Sequence, residues 1–189
     1  MGKTYKTLTA DHLEFIHKQK IFFVATAPDE DVKNGKINLS PKGLDSIRVK
    51  SFNKIIWLNL TGSGNETAAH LSRNSSITVM FCAFEGNPLI LRIYGTARAI
   101  HIDDADWEKY IPDFPDYPGP RQIIEVSIEL VQTSCGFGVP LMKYEGDRDL
   151  LPKWAQSKGQ QGIYEYWQEK NSISLSGQPI AVPKNFNKS

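Results

Sequence analysis

Hydrophobic and polar residues alternate over much of the chain, and a period of two is the pattern of half-buried β-strands. An Asn-Gly pair at 34–35 separates two of the runs and is a strong signal for a hairpin turn. The run at 76–84 is apolar on both faces, which is typical of a central strand. The predicted strands cover residues 21–27, 36–39, 46–49, 54–60, 76–84, 89–100 and 122–133.

Helical spacing is limited to short segments between these strands and to the C-terminal part of the chain. Residues 10–20, 66–73 and 103–110 predict short helices, and residues 147–158 and 161–170 predict two more, separated by Gly159. Strands joined mainly by turns do not fit an alternating β-α-β pattern. The sequence therefore predicts a mainly β fold, a six- to seven-stranded antiparallel barrel with peripheral helices.

Composition narrows the class of partner. The 189 residues carry 22 Lys+Arg against 21 Asp+Glu, a net charge of +1, which argues against general binding to nucleic acid or anionic membranes. No segment approaches the ~18 apolar residues that span a bilayer. Cys82 and Cys135 form no CxxC pair, so no zinc or dithiol redox motif is present, and we expect no metal. Two thiols suit a reducing compartment, and we expect a cytoplasmic protein.

The strongest candidate for chemistry is the turn between the strand at 54–60 and the helix at 66–73. Gly62 and Gly64 permit a tight bend, and backbone N–H groups together with the Ser63 and Thr67 hydroxyls could cradle a phosphate. An ordinary strand-to-helix turn with Asn65 as the N-cap is the alternative. Neither the dinucleotide fingerprint nor the P-loop fits, since the first needs a third glycine and the second a Lys before Ser or Thr.

Two cations are further candidates. In Ser40-Pro41-Lys42-Gly43 the proline and glycine predict a turn, and Lys42 would present a point charge suited to a phosphate, or would simply be an exposed loop lysine. Arg92 lies in an apolar strand on the same face as Tyr94. Its charge must reach solvent, a carboxylate or an anionic ligand.

Four segments, taken in order, resemble the pyridoxamine 5'-phosphate oxidase-related family of flavin-binding split β-barrels. The similarity covers roughly residues 11–139 and points to a poorly characterised branch rather than to the biosynthetic oxidase. Each motif alone is common, whereas the set in this order is specific. The segments are INLSPKG at 37–43, WLNLTGSGNETAAHL at 57–71, ITVMFCAF at 77–84 and LRIYG at 91–95.

The resemblance implies a homodimer that holds FMN at the subunit interface. It implies an FMN-binding split-barrel domain at 1–140 and a C-terminal helical extension at 141–189 that packs on the barrel or the partner subunit. The two turns would hold the phosphate, two strand residues would offer backbone groups to the flavin ring, and an arginine would match a polar family position. The implied cofactor-binding residues are Ser40, Pro41, Lys42, Gly43, Trp57, Leu58, Ser63, Gly64, Asn65, Glu66, Thr67 and Arg92.

The activity implied is flavin-dependent oxidoreductase chemistry on an unknown small-molecule substrate, with no catalytic side chain assigned. A non-catalytic flavin, deazaflavin or haem binding protein is the alternative. Glu66 favours it, because it stands where the oxidase carries basic residues. The arginines with which the oxidase binds its substrate phosphate have no match in residues 171–189, so vitamin B6 oxidation is not implied.

Overall fold

A computed structural model describes residues 2–183 of the chain. Eight strands form one antiparallel sheet in the order β3-β2-β6-β7-β8-β5-β4, with β1 paired to β8. The strands are β1 Lys3–Tyr5, β2 Phe22–Thr26, β3 Asn38–Lys42, β4 Ile47–Ser51, β5 Lys54–Leu60, β6 Ser76–Cys82, β7 Ile90–Ile100 and β8 Pro120–Ser134. The helices are α1 Ala10–Lys18, α2 Glu66–Leu71, α3 Trp107–Tyr110, a 3-10 turn Ile111–Asp113 and α4 Leu150–Lys170.

The predicted mainly β, antiparallel split-barrel fold is confirmed. The strand beyond the predicted number is β1, whose three residues are too few to show a period of two. In the part of the chain that the structure describes, no helix is both long and apolar enough to cross a membrane. Residues 184–189 of the predicted C-terminal extension lie outside the described range.

Alternation along the strands builds the core. Every second residue is buried along β2, along β6 as far as Phe81 and along β7 as far as Ala97, and β6 lies between β2 and β7 as its two apolar faces predict. The Trp57 indole on β5 is fully buried and meets Phe22 edge to face at 6.3 Å between ring centroids. This contact joins β2 and β5, which lie near opposite ends of the strand order. The apolar face of the sheet therefore closes around one core.

The structure corrects two local predictions. The segment 40–42 was expected to break the chain into a turn, but β3 continues through it to Lys42. Because β3 is the outermost strand of the sheet, Pro41 costs little there. The helix expected at 103–110 begins only at Trp107, because the Asp104 carboxylate accepts the His101 N–H at 2.7 Å and forms a turn instead.

Glu125 on β8 anchors the outer face of the central strands. Its carboxylate accepts hydrogen bonds from Tyr110 Oη at 2.6 Å, Arg98 Nε at 2.9 Å and Lys54 Nζ at 3.0 Å. Burial by itself would raise the pKa of Glu125, but these three donors outweigh it and lower the pKa to about 2. The charged carboxylate therefore stabilises the folded state at neutral pH.

Glu125→Gln should lower the free energy of unfolding by about 2 kcal/mol at pH 7, given three lost charge-assisted bonds. The folded pKa lies below the ordinary value of 4.5, so the stabilisation is present above that pH and is lost as pH falls toward 2. The difference in the free energy of unfolding between wild type and Glu125→Gln should therefore become smaller in acid. Urea unfolding at pH 7 and pH 3 measures it, with the exposed Glu129→Gln on the same strand as the control. Equal losses in both variants would contradict the assignment.

Candidate functional site

An open cleft of about 1700 Å³ lies where the end of β3 meets the end of β5. Its other walls are α1, the turn between β6 and β7, the segment 142–148 and the first two residues of α4. The volume exceeds that of most small-ligand pockets, so the cleft can accept a ligand of cofactor size. Among its wall residues are Pro41, Lys42, Gly43, Leu58, Asn59 and Gly62.

Lys42 is the cation of the cleft wall that lies on the sheet, and the cleft is also lined by Lys18, Lys20, Lys143 and Arg148. It is half-buried at the end of β3, and its ammonium donates to Asn59 Oδ1 at 3.2 Å. Burial, and after it the positive charge of Arg121, lowers the pKa of Lys42 to about 8. Within residues 2–183 no carboxylate pairs with it. Lys42 is therefore a partly buried ammonium that can bind an anion, and not a loop lysine in solvent.

Arg121 at the start of β8 is a site residue that the sequence analysis missed. It is only 2% exposed, and burial lowers its pKa to about 10. Its guanidinium donates to Gly64 O at 3.0 Å, to Gly62 O at 3.4 Å and to Asn171 Oδ1 at 2.6 Å. The available signal was the polar pair Arg121-Gln122 placed directly before the apolar strand residues.

Neutral amides connect these two cations. Asn59 Nδ2 donates to Gln122 Oε1 at 3.0 Å, Gln122 Nε2 donates to Asn65 Oδ1 at 3.2 Å, and Asn65 Nδ2 donates to Asn171 O at 3.3 Å. Amides satisfy hydrogen bonds but carry no net charge, and no described carboxylate pairs with either cation. The cluster is therefore buried, polar and net positive, which is an electrostatic environment suited to an anionic ligand.

The turn at 61–67 lies beside this cluster. Asn65 precedes α2, but its side chain makes no cap hydrogen bond and belongs to the amide network instead. The turn also touches β3, because Asn38 Nδ2 donates to Thr67 Oγ1 at 3.2 Å. None of the backbone N–H groups of residues 62–68 donates to another described group. A run of unused donors therefore lies next to two cations that have no carboxylate partner among the described residues.

Glu66 at the start of α2 has a hydrogen-bond partner in the segment after α4. Its carboxylate accepts the backbone N–H of Leu175 at 2.9 Å, so it fastens the segment after α4 to the start of α2. Ile180 of the same segment packs on Ala68 and Ala69 of α2. The feature that favoured a non-catalytic protein therefore has a structural role within the fold.

The structure places most of the predicted site residues in two neighbouring groups, the cleft wall and the turn at 61–67, and of that turn only Gly62 lines the cleft. Pro41, Lys42 and Gly43 line the cleft, and Ser40 Oγ donates to Asn38 Oδ1 at 3.2 Å beside the turn that contains Ser63, Gly64, Asn65, Glu66 and Thr67. Leu58 also lines the cleft, with its N–H donating to Ser46 O at 2.8 Å.

Two predicted residues lie apart from that group. The Trp57 side chain belongs to the core, and Arg92 Nη1 donates to Ser134 Oγ at 3.0 Å on a different part of the sheet. Arg92 is only half-buried, so its charge also reaches solvent and does not require a ligand. A cofactor role for each of the predicted residues stays a prediction.

The chain is similar to known proteins over most of its length. The pyridoxamine 5'-phosphate oxidase family matches residues 8–135. The pyridoxamine 5'-phosphate oxidase family protein ustO of Aspergillus flavus is 36% identical over 192 residues, which is 93% of this chain and 76% of that protein.

Two solved structures have a similar fold. HupZ from Group A Streptococcus has a TM-score of 0.51 at 21% identity, covering 65% of this chain and 91% of its own. A protein of Lactobacillus delbrueckii, provisionally named a pyridoxamine 5'-phosphate oxidase, has a TM-score of 0.50 at 21% identity, covering 67% and 94%. At this identity the likeness concerns the fold alone.

Proposed function

The chain belongs to the pyridoxamine 5'-phosphate oxidase family, and from this premise we propose that it binds FMN in the cleft beside Lys42 and acts as a flavin-dependent oxidoreductase on a small substrate. One observation carries the proposal. Lys42 and Arg121 are two cations without a carboxylate partner among residues 2–183, and they lie beside a turn whose N–H groups are unused. A phosphate monoester supplies the missing negative charge and acceptors.

Each residue has a separate task in this proposal. Lys42 offers the phosphate an ammonium in the cleft wall, while the backbone of residues 63–67, which follows the cleft residue Gly62, offers fixed donors. Asn59 and Gln122 orient Lys42 without neutralising its charge. The cleft continues past Leu58 toward α1, where Phe15 and Ile21 offer apolar contacts to a planar ring. FMN, once bound, supplies the electron transfer, and the protein supplies binding and orientation.

A second copy of the chain would complete the site. Several large apolar side chains are exposed at the surface, among them the cleft residues Met142 and Leu150, which is unusual for a surface that stays in water. Leu39 on the edge strand β3 is 65% exposed, and Phe137 in the segment after β8 is 81% exposed. We propose that a homodimer covers them and closes the cleft over FMN, in a cytoplasmic protein.

Leu39→Glu combined with Phe137→Glu should give a monomer, because a charge at each position cannot be buried unpaired. FMN affinity should fall at least tenfold with the loss of the dimer. Light scattering coupled to gel filtration gives the mass, and flavin fluorescence gives the dissociation constant. A wild-type protein that is monomeric, or a double variant that stays dimeric, would refute the arrangement.

The main test is a titration of the purified protein with FMN, followed by anaerobic addition of NADH or NADPH and then by air. We expect saturable quenching of flavin fluorescence, bleaching of the flavin band on reduction, and its return with oxygen. Absence of binding would refute the proposal. Binding without any reduction would favour the non-catalytic flavin-binding alternative.

A further inference from the structure

The segment that follows α4 returns to the turn at 61–67 and contacts it from the side of β8. α4 ends at Lys170, and the Asn171 side chain that follows is completely buried. Asn171 Oδ1 accepts from Arg121 Nη1 at 2.6 Å, and Asn171 Nδ2 donates to Gly62 O at 3.1 Å and to Ser63 O at 3.5 Å. One amide therefore joins a buried cation to the backbone of the turn.

These contacts fix the direction of three successive peptide groups. The carbonyls of Gly62, Ser63 and Gly64 all accept from Asn171 or Arg121. No peptide bond of the described chain is cis, and in a trans peptide the N–H points opposite to the C=O. The N–H groups that follow these three carbonyls therefore point away from Arg121. Asn171 and Arg121 thus direct three backbone N–H groups to one side of the loop.

We propose that Asn171 and Arg121 are positioning residues that hold the turn in its phosphate-binding form, so that the C-terminal extension is part of the cofactor site. The inference rests on the proposed FMN binding. Neither side chain needs to touch the phosphate, since both act through the backbone of Gly62 to Gly64. Arg121 adds a buried positive charge on the far side of the turn.

Asparagine suits this position because its amide accepts and donates at the same time. Aspartate has the same shape and would still accept from Arg121, but it cannot donate to the carbonyls of Gly62 and Ser63. It would also neutralise the guanidinium by forming an ion pair. Asn171→Asp is therefore a near-isosteric test, whereas Asn171→Ala removes both contacts.

The test compares FMN with riboflavin, which has the same ring and lacks the phosphate. For Asn171→Ala and Asn171→Asp we expect FMN affinity to fall about tenfold or more while riboflavin affinity changes less than twofold. Asn53→Ala, an exposed asparagine in the turn between β4 and β5, should leave both ligands unchanged. Circular dichroism and thermal melting establish which variants are folded, and Asn171→Asp serves alone if the alanine variant does not fold.

The possible outcomes separate the two proposals. If wild-type protein binds no FMN, the proposed function fails. If wild-type protein binds FMN and a folded Asn171 variant keeps the same FMN-to-riboflavin affinity ratio, the positioning role is wrong and the proposed function stands. An equal loss for both ligands would show a general structural role and would likewise overturn the inference.

Discussion

Lys42→Met should weaken FMN binding by about 10- to 100-fold, because a hydrogen bond between charged groups contributes about 1.5–3 kcal/mol. Methionine keeps the length and apolar volume of the lysine stem, so the cleft wall should remain intact. Riboflavin affinity should change little. Lys36→Met, which removes an exposed lysine before β3, is the matched control. Equal FMN affinity in wild type and Lys42→Met would mean that the phosphate does not bind at this position.

The same residue predicts a pH dependence of binding. In the protein without ligand the pKa of Lys42 is about 8, well below the ordinary 10.5, so the ammonium loses its proton as pH rises from 7 to 9. The phosphate is already fully ionised above pH 7, since its second pKa is about 6. FMN affinity should therefore fall with rising pH, by up to about tenfold per unit above 8. Fluorescence titrations at pH 7, 8 and 9 should show this trend in wild type but not in Lys42→Met or for riboflavin.

Gly95→Ala should destabilise the fold by about 3 kcal/mol or more, which is large for one methyl group. Gly95 lies on β7 at a shift in its pairing with β8, where the two backbones approach closely. A Cβ at this position would lie 2.0 Å from Ser127 O and 3.2 Å from Ile128 Cα. Both are backbone atoms of a strand paired on both sides, so neither can move without disturbing the sheet.

Urea unfolding or soluble yield measures this effect. Gly138→Ala is the control, because no atom lies within 4 Å of the position that its Cβ would occupy. A Gly95→Ala protein as stable as the control would show that β7 and β8 can separate locally at little cost.

Local patterns were sufficient to predict the elements. A period of two predicts a strand at 89–100, where β7 covers Ile90–Ile100, and Gly159 interrupts the C-terminal helical region with a positive φ of 63°. Periodicity works here because the side chain of each strand residue faces core or solvent according to its neighbours in sequence. The same locality led to the misplaced helix at 103–110, where one aspartate side chain redirected the backbone.

The motif at 61–67 was also visible in the sequence, but its electrostatics were not. Glu66 suggested repulsion of a phosphate, and the structure adds that its carboxylate binds the Leu175 N–H of the segment after α4. A side chain's partner depends on which distant segment folds against it, and no local period records that choice.

Strands β2 to β8, the glycine turn and the family motifs can be predicted from the sequence, because they depend on residues close together in the chain. What surrounds the turn follows from the tertiary structure. Arg121 and Asn171 lie 59 and 109 positions from Gly62 along the chain, and they reach it only because β8 pairs with β5 and the segment after α4 folds back. Strand pairing and helix packing left the positive charges of Arg121 and Lys42 uncompensated. Burial removed Arg121 and part of Lys42 from water without bringing a described carboxylate beside them.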